Sequence, residues 1–228
     1  MDRLLLDKIY KFTLSNDFTA LYKAYNWRND NWQSGFRDIF AIEKLFMQEL
    51  SELYISSYAV MQIVYWGNLR NPARVKCPNI IYITNTELFN PESMYNKLCK
   101  ETDGLGPTYI SKIIRFANPR IAGAIDSRIV RVFGKGYSSF TKCNWLDLKA
   151  VKHRSGWYIN KNQKGWPEEY FLWLDILTKI RNLLNKNGIQ CPHPNAFVTS
   201  GLREKGKWTC ADVEMALFAY STRIVRSR

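Results

Sequence analysis

An all-α fold is what this sequence predicts, and three observations carry the prediction. Several segments place apolar residues at the three- and four-residue spacing of an amphipathic helix. Those segments are punctuated by N-caps, by prolines at their starts and by a glycine just past an end. Neither an internal repeat nor a low-complexity linker long enough to separate independent domains interrupts the 228 residues.

Between about Ala41 and Trp66, Ile42, Leu45, Phe46, Leu50, Leu53 and Tyr54 fall at helical spacing and predict a buried helix. Val75 to Thr84, with Ile80, Ile81, Tyr82 and Ile83, reads equally as a short strand or an extended loop, because so short an apolar run has no diagnostic period. Asn90-Pro91-Glu92-Ser93 is an N-cap followed by proline at the first helical position; Met94, Leu98 and Cys99 mark the inward face, and the helix should end near Thr102. From Pro167 to Asn187, Phe171, Leu174, Leu177, Ile180 and Leu184 form one stripe, opened by the proline and closed by Gly188. Thr209-Cys210-Ala211-Asp212 has the form of a capping box, opening a last helix through Val213, Met215, Leu217 and Phe218.

No stretch approaches the ~18 unbroken apolar residues of a membrane span. The N-terminal apolar run is broken by charge at once, unlike a secretory signal, so a cytoplasmic location is expected. Cys77, Cys99, Cys143, Cys191 and Cys210 are odd in number and scattered, without any C-x-x-C pair, which argues for reduced thiols and against a zinc finger or disulfide framework. Charge is more telling. With 33 basic and 20 acidic residues the net charge is +13, and residues 100–164 hold 13 Lys or Arg against 4 Asp or Glu, so +9 of it lies there. Such concentration is the footprint expected for contact with a phosphate backbone. Aromatic, turn-rich segments at Asn26–Phe36 and His153–Trp166 separate the helices; Trp27, Trp32, Trp157 and Trp166 serve either as packing residues or as platforms for unstacked bases.

The informative block runs from Thr102-Asp103-Gly104-Leu105-Gly106-Pro107-Thr108-Tyr109-Ile110 to Ala124-Ile125-Asp126-Ser127-Arg128-Ile129-Val130-Arg131. Glycines around one apolar residue permit positive φ and leave backbone amides uncovered, while Pro107 starts a helix without wasting a donor. The amides of Gly104, Gly106 and Thr108 at a helix N-terminus then form a phosphate site, with Lys112 and Arg115 adding attraction from further along. Taken alone, Gly104-x-Gly106 also suits an ordinary tight turn, and an Asp preceding a helix also suits an N-cap.

Together these residues resemble the helix-hairpin-helix DNA glycosylases: a Gly-apolar-Gly hairpin, then an Asp, 18 residues after Thr108, heading a basic helix that contains Arg128 and Arg131. The resemblance is specific over about 90–134 and general elsewhere. It implies a fold of two helical subdomains flanking a cleft, the central one spanning about 41–118 with its hairpin at 103–108, the other formed by about 1–40 and 119–228. It also implies double-stranded DNA with a modified base as partner, bound by Gly104, Gly106, Thr108, Tyr109, Lys112, Arg115, Arg128 and Arg131. Asp126 would be the catalytic carboxylate, an anion beside the sugar carbon whose positive charge develops as the N-glycosidic bond breaks. The base pocket would draw on Trp208, Asp212 and Phe218. A K⁺ or Na⁺ ion would sit on the carbonyls of Lys100, Thr102 and Leu105. No other cofactor is required, and the scattered cysteines exclude the iron–sulfur cluster of some relatives.

Among these enzymes the sequence looks closest to the bacterial branch with the 8-oxoguanine-glycosylase fold, some members of which act in anti-phage defence. It departs from the oxoguanine enzymes in bearing Thr108 where they carry a Schiff-base lysine. Lys112 follows one helical turn later, ~6 Å along the axis, and is expected to face phosphate. A monofunctional, monomeric enzyme acting on hypermodified cytosine is therefore expected. An oxoguanine repair glycosylase/lyase, a non-enzymatic DNA-binding module and an RNA-binding protein are the rival readings.

Overall fold

The computed structural model describes residues 1–135, 143–153 and 156–226. The parts of the basic 100–164 segment at 136–142, and of the His153–Trp166 segment at 154–155, lie outside the described residues. Helices dominate: α1 (Arg3–Ser15), α2 (Phe18–Lys23), α3 (Arg37–Ser51), α4 (Ser57–Trp66), α5 (Asn85–Phe89), α6 (Pro91–Glu101), α7 (Pro107–Ala117), α8 (Ser127–Phe133), α9 (Glu168–Lys186), α10 (Asn195–Thr199) and α11 (Cys210–Arg226). The strands are short. They form three antiparallel pairs, β1 (Asn26–Trp27) with β2 (Asp30–Asn31), β3 (Tyr54–Ser56) with β4 (Ile80–Tyr82), and β5 (Ala150–His153) with β6 (Gly156–Ile159). Among the described residues no helix is long and apolar enough to cross a membrane.

Local chemistry explains most of the boundaries. Asn90 accepts from the amides of Glu92 and Ser93 (both 3.0 Å) and opens α6, which ends at Thr102 as expected. Met94 and Leu98 are buried but Cys99 is exposed, because the 94–98 spacing already defines the face. Thr209 and Asp212 make the capping box of α11: Asp212 accepts from the Thr209 amide (2.9 Å) and hydroxyl (2.6 Å), while Thr209 accepts from the Asp212 amide (3.3 Å). α9 buries Leu174, Leu177, Ile180 and Leu184, as its stripe predicts, with Gly188 past its end at φ +69°.

The single helix expected over 41–66 is instead two. Leu53 adopts φ +56°, and Glu49 turns its carboxylate onto the Ser56 amide (2.8 Å) and hydroxyl (2.5 Å). A left-handed leucine costs roughly 1–2 kcal/mol, offset here by pairing β3 to β4, which buries Ile55 against Ile81. Within Val75–Thr84 the strand is thus Ile80–Tyr82, and the rest of the segment lies outside it.

α11 is the hub. It is buried on every side from Cys210 to Ala219 and packs against α2, α8 and α9, while α3, α4 and α6 gather around α7. One continuous apolar cluster joins both sets. Across the seam runs a buried ionic network: Glu43 of α3 receives Arg115 of α7 (2.6 Å) and Arg203 (2.6 and 2.9 Å), and Arg203 also reaches Asp212 of α11 (3.0 and 3.2 Å).

Candidate active site

The turn between α6 and α7 is held to the rest of the chain by backbone bonds between Lys76 and Asp103 (3.0 and 2.8 Å). Gly104 has φ +78°, and a Cβ there would run into the Arg74 carbonyl oxygen, so glycine is required. Gly106 differs from the expectation: its φ is −90°, and a Cβ would meet open space. The Gly104 amide differs too. It donates to Asp103 Oδ1 (2.7 Å) and is not open to a phosphate. No side chain caps α7, so its N-terminus beside Gly106 and Thr108 is the part of the turn suited to an anion.

Three contacts fix the segment that delivers Asp126. The Ser111 hydroxyl is bonded to Ile125 O (3.3 Å) and accepts from the Ile125 amide (3.1 Å); Trp173 donates to Ala124 O (3.0 Å); and Gly123 lies where a Cβ would strike Leu177 and Glu214. Asp126 then caps α8. Its Oδ1 accepts from the amides of Arg128 (2.8 Å) and Ile129 (2.9 Å), so the cap occupies one carboxylate oxygen and leaves Oδ2 outside it.

Asp126 lines two adjoining spaces. An open groove of about 570 Å³ runs between the α7 N-terminus and α8, walled by Trp27, Gly106, Pro107, Thr108, Tyr109, Lys112, Arg128, Arg131, Trp157 and Tyr158. That volume is in the range of roughly 300–1,000 Å³ typical of ligand sites. Adjoining the groove is a smaller, partly enclosed cavity of about 20 Å³, walled by Tyr25, Trp27, Trp66, Lys112, Arg115, Ala124, Asp126, Glu214 and Phe218. As it stands the cavity has room for about one water molecule. Trp27, Lys112 and Asp126 border both. Arg128 lies over the rings of Trp27 (4.9 Å) and Phe218 (5.2 Å), and Arg131 over Trp157 (4.4 Å). Tyr109 donates to Gly67 O (2.8 Å), and burial pushes its hydroxyl up to about 12.

Two expected phosphate contacts are corrected. Lys112 is buried, its Nζ over Trp66 and Tyr109 (both 5.0 Å) and Trp27 (5.3 Å), because its position on α7 turns toward α4 and the β1–β2 turn. Burial brings its ammonium down to about 8, against the opposing pull of Asp126 and Glu214. Arg115, one turn on, is 2% exposed and bound to Glu43, which removes it from any phosphate.

Of the three expected pocket residues only Phe218 reaches the cavity. Trp208 is core, donating to Ile189 O (2.9 Å), and Asp212 is fully buried on Arg203 and the α11 cap. Among the tryptophans of the two aromatic segments, Trp27 and Trp157 line the groove, whereas Trp32 donates to Pro192 O (2.7 Å) and buried Trp166 to Tyr95 Oη (2.8 Å).

Tyr25, Trp66 and Glu214 were not singled out by the sequence. Glu214 had a signal: it is a carboxylate inside the apolar run Val213–Phe218, one turn before Phe218. It is buried, and burial raises its carboxyl to about 8, with Arg115 lowering it and Asp126 raising it. Elsewhere Cys191, His193 and Asp212 bring one ligand atom each within 4.8 Å. The Arg203 guanidinium on Asp212 opposes a cation there.

Fold and groove together define a mostly helical protein with an open groove and an aromatic-walled recess. No protein-family model matches the sequence, and neither a curated protein nor a solved structure matches it significantly.

Proposed function

We propose that the chain is a DNA N-glycosylase of the helix-hairpin-helix class, which extrudes a modified base and hydrolyses its N-glycosidic bond at Asp126, leaving an abasic site. The observation that carries this reading is the setting of Asp126, which heads α8 and stands where the open groove meets the aromatic recess. An anion fixed there opposes the positive charge that grows on C1′ and the ring oxygen, and it can take a proton from the attacking water. The α8 N-terminus favours negative charge at this point.

Duplex DNA lies along the groove, its backbone met by the uncapped α7 N-terminus, Tyr109, Arg128 and Arg131. The carbonyls of Lys100 and Thr102 close the electronegative end of α6, and with that of Leu105 they suit a K⁺ or Na⁺ ion. The base enters when the Trp27 turn shifts, since Trp27 borders both groove and recess. The protein acts as a monomer, and its base is a bulky modified cytosine of phage DNA. Excision there is protective, because abasic sites block copying of the invading genome while an unmodified host chromosome is spared.

The test is base release, followed by mass spectrometry, from phage DNA carrying hydroxymethylated or glucosylated cytosine and from oxoguanine duplexes. Release of the modified cytosine is expected. Removal of oxoguanine alone restores the repair reading, and tight binding without any release reduces the chain to a DNA-binding module.

A second reading rests on Lys112, whose amine borders the recess with Asp126 and loses its proton near pH 8. A neutral amine at C1′ forms an imine, as Thr108 cannot. Borohydride trapping separates the two: no trapped complex is expected from a hydrolytic enzyme, whereas a complex lost in Lys112→Ala makes the chain a glycosylase/lyase.

A further inference from the structure

The recess has an order in depth. Asp126 and Lys112 border both groove and cavity, whereas Glu214 borders the cavity alone. Once the Trp27 turn shifts and widens the cavity, a nucleotide entering from the groove meets Asp126 with its sugar and Glu214 with its base. Around Glu214 the walls are the rings of Tyr25, Trp27, Trp66 and Phe218, surfaces on which a base stacks. Glu214 reaches this place because Gly123 has no side chain: a Cβ there would lie 2.8 Å from Glu214 Cβ and 3.2 Å from its Cγ.

The cation nearest Glu214 is shared with another carboxylate. Arg115 is committed to Glu43 at 2.6 Å and comes only within 3.9 Å of Glu214 Oε2. The other groups facing it are the Ala124 backbone amide, which donates to the carboxylate and favours its charged form, Lys112 from α7, Asp126 ahead of α8, Tyr25 before β1 and Tyr170 from α9.

We infer that Glu214 is a second catalytic group of this site, an undissociated acid that donates its proton to the ring nitrogen of the extruded base and accepts from the adjacent exocyclic amine. The substrate class is then bases whose Watson–Crick edge pairs such a nitrogen with an amine, cytosines and adenines, and not uracil- or guanine-type bases. This rests on the glycosylase reading above.

The step balances. The C1′–N bond breaks with its electron pair going to the base, the Glu214 proton makes the departing base neutral, and water adds its oxygen to C1′ while giving a proton to Asp126. Asp126 and Glu214 then exchange that proton through solvent. Burial supports the assignment, since it holds the Glu214 carboxyl at about 8 and so protonated at neutral pH.

Single-turnover release is measured on duplexes containing 5-hydroxymethylcytosine, its glucosylated form or N6-methyladenine, against 5-hydroxymethyluracil, 8-oxoguanine and hypoxanthine. Release confined to the first group is expected, and release of any of the second as fast as the first overturns the inference. No release from any duplex is a failure of the glycosylase reading itself, and takes this inference with it.

The wild-type rate should fall as pH rises through about 8. Glu214→Gln keeps a donor and an acceptor but holds no acidic proton. It should preserve the preference among bases, slow release by ~100-fold or more and lose the alkaline limb. Lys112→Arg, which keeps its charge, should retain that limb. Persistence of the limb in Glu214→Gln, or its loss in Lys112→Arg alone, overturns the inference, and the wild-type panel decides without relying on the folding of any variant.

Discussion

At the scale of single residues, the proposed function gives Asp126 a catalytic task beside its capping one, and substitution can part the two. Asparagine keeps an oxygen for the amides of Arg128 and Ile129 but loses the charge. Asp126→Asn should therefore melt within a few degrees of wild type and bind DNA normally, while single-turnover base release falls by ~100-fold or more. Near-normal release would end the catalytic assignment. Glu214 offers a second measurement that needs no substrate. Its carboxyl lies at about 8 in the fold against an ordinary 4.5, so between those values the folded chain holds a proton that the unfolded chain has released. The stability it contributes is complete below pH ~4.5 and disappears as pH rises through 8. Lys112 acts in the opposite sense and in a higher window: its folded value near 8 lies below the ordinary 10.5, so stability rises from pH 8 upward. Urea titrations at pH 5 and 8 should show wild type losing stability over that interval and Glu214→Leu losing much less. An equal loss in both would mean that Glu214 is charged throughout.

At the scale of elements, caps made the sequence readable and cancelled strain made it opaque. α6, α9 and α11 begin and end close to where Asn90, Thr102, Pro167, Gly188 and Thr209 mark them, because capping depends on neighbours within one turn. The break between α3 and α4 has no such mark. Leu53 takes positive φ only because β4, from 26 residues further on at Ile81 against Ile55, pairs with β3, and no local pattern carries that information. The glycines of the turn before α7 look alike in sequence yet differ in what they need. Gly104→Ala meets both a left-handed φ and the Arg74 carbonyl, and should cost about 1–2 kcal/mol or more. Gly106→Ala, at φ −90° with open space beside it, should leave stability nearly unchanged. Chemical denaturation of the two variants checks this, and equal losses would show that the turn is not built as described.

At the scale of the whole molecule, the sequence grouped residues that the fold does bring together, and gave two of its cations the wrong partners. Asp126, Arg128, Arg131, Thr108 and Tyr109 do share one groove: Thr108, Tyr109, Asp126 and Arg128 lie at or near the starts of α7 and α8, and Arg131 follows Arg128 one turn along α8. Arg115 does not, since it is buried on Glu43 together with Arg203, a carboxylate and an arginine that lie 72 and 88 positions away from it in the chain. A count of basic residues treats Arg115 and Arg131 as equals, and only the long-range contact of α7 with Glu43 of α3, itself held by Arg203, separates them. DNA affinity measured against salt makes that separation visible. If Arg131 neutralises a phosphate, Arg131→Gln should lower the slope of log K on log salt by about 1, in keeping with release of about one counterion per contact. Arg115→Gln should leave the slope alone and instead destabilise the fold by about 3–5 kcal/mol, because Glu43 keeps a buried charge with one partner fewer. A reduced slope for Arg115→Gln with unaltered stability would return Arg115 to the surface and reopen the geometry of the groove.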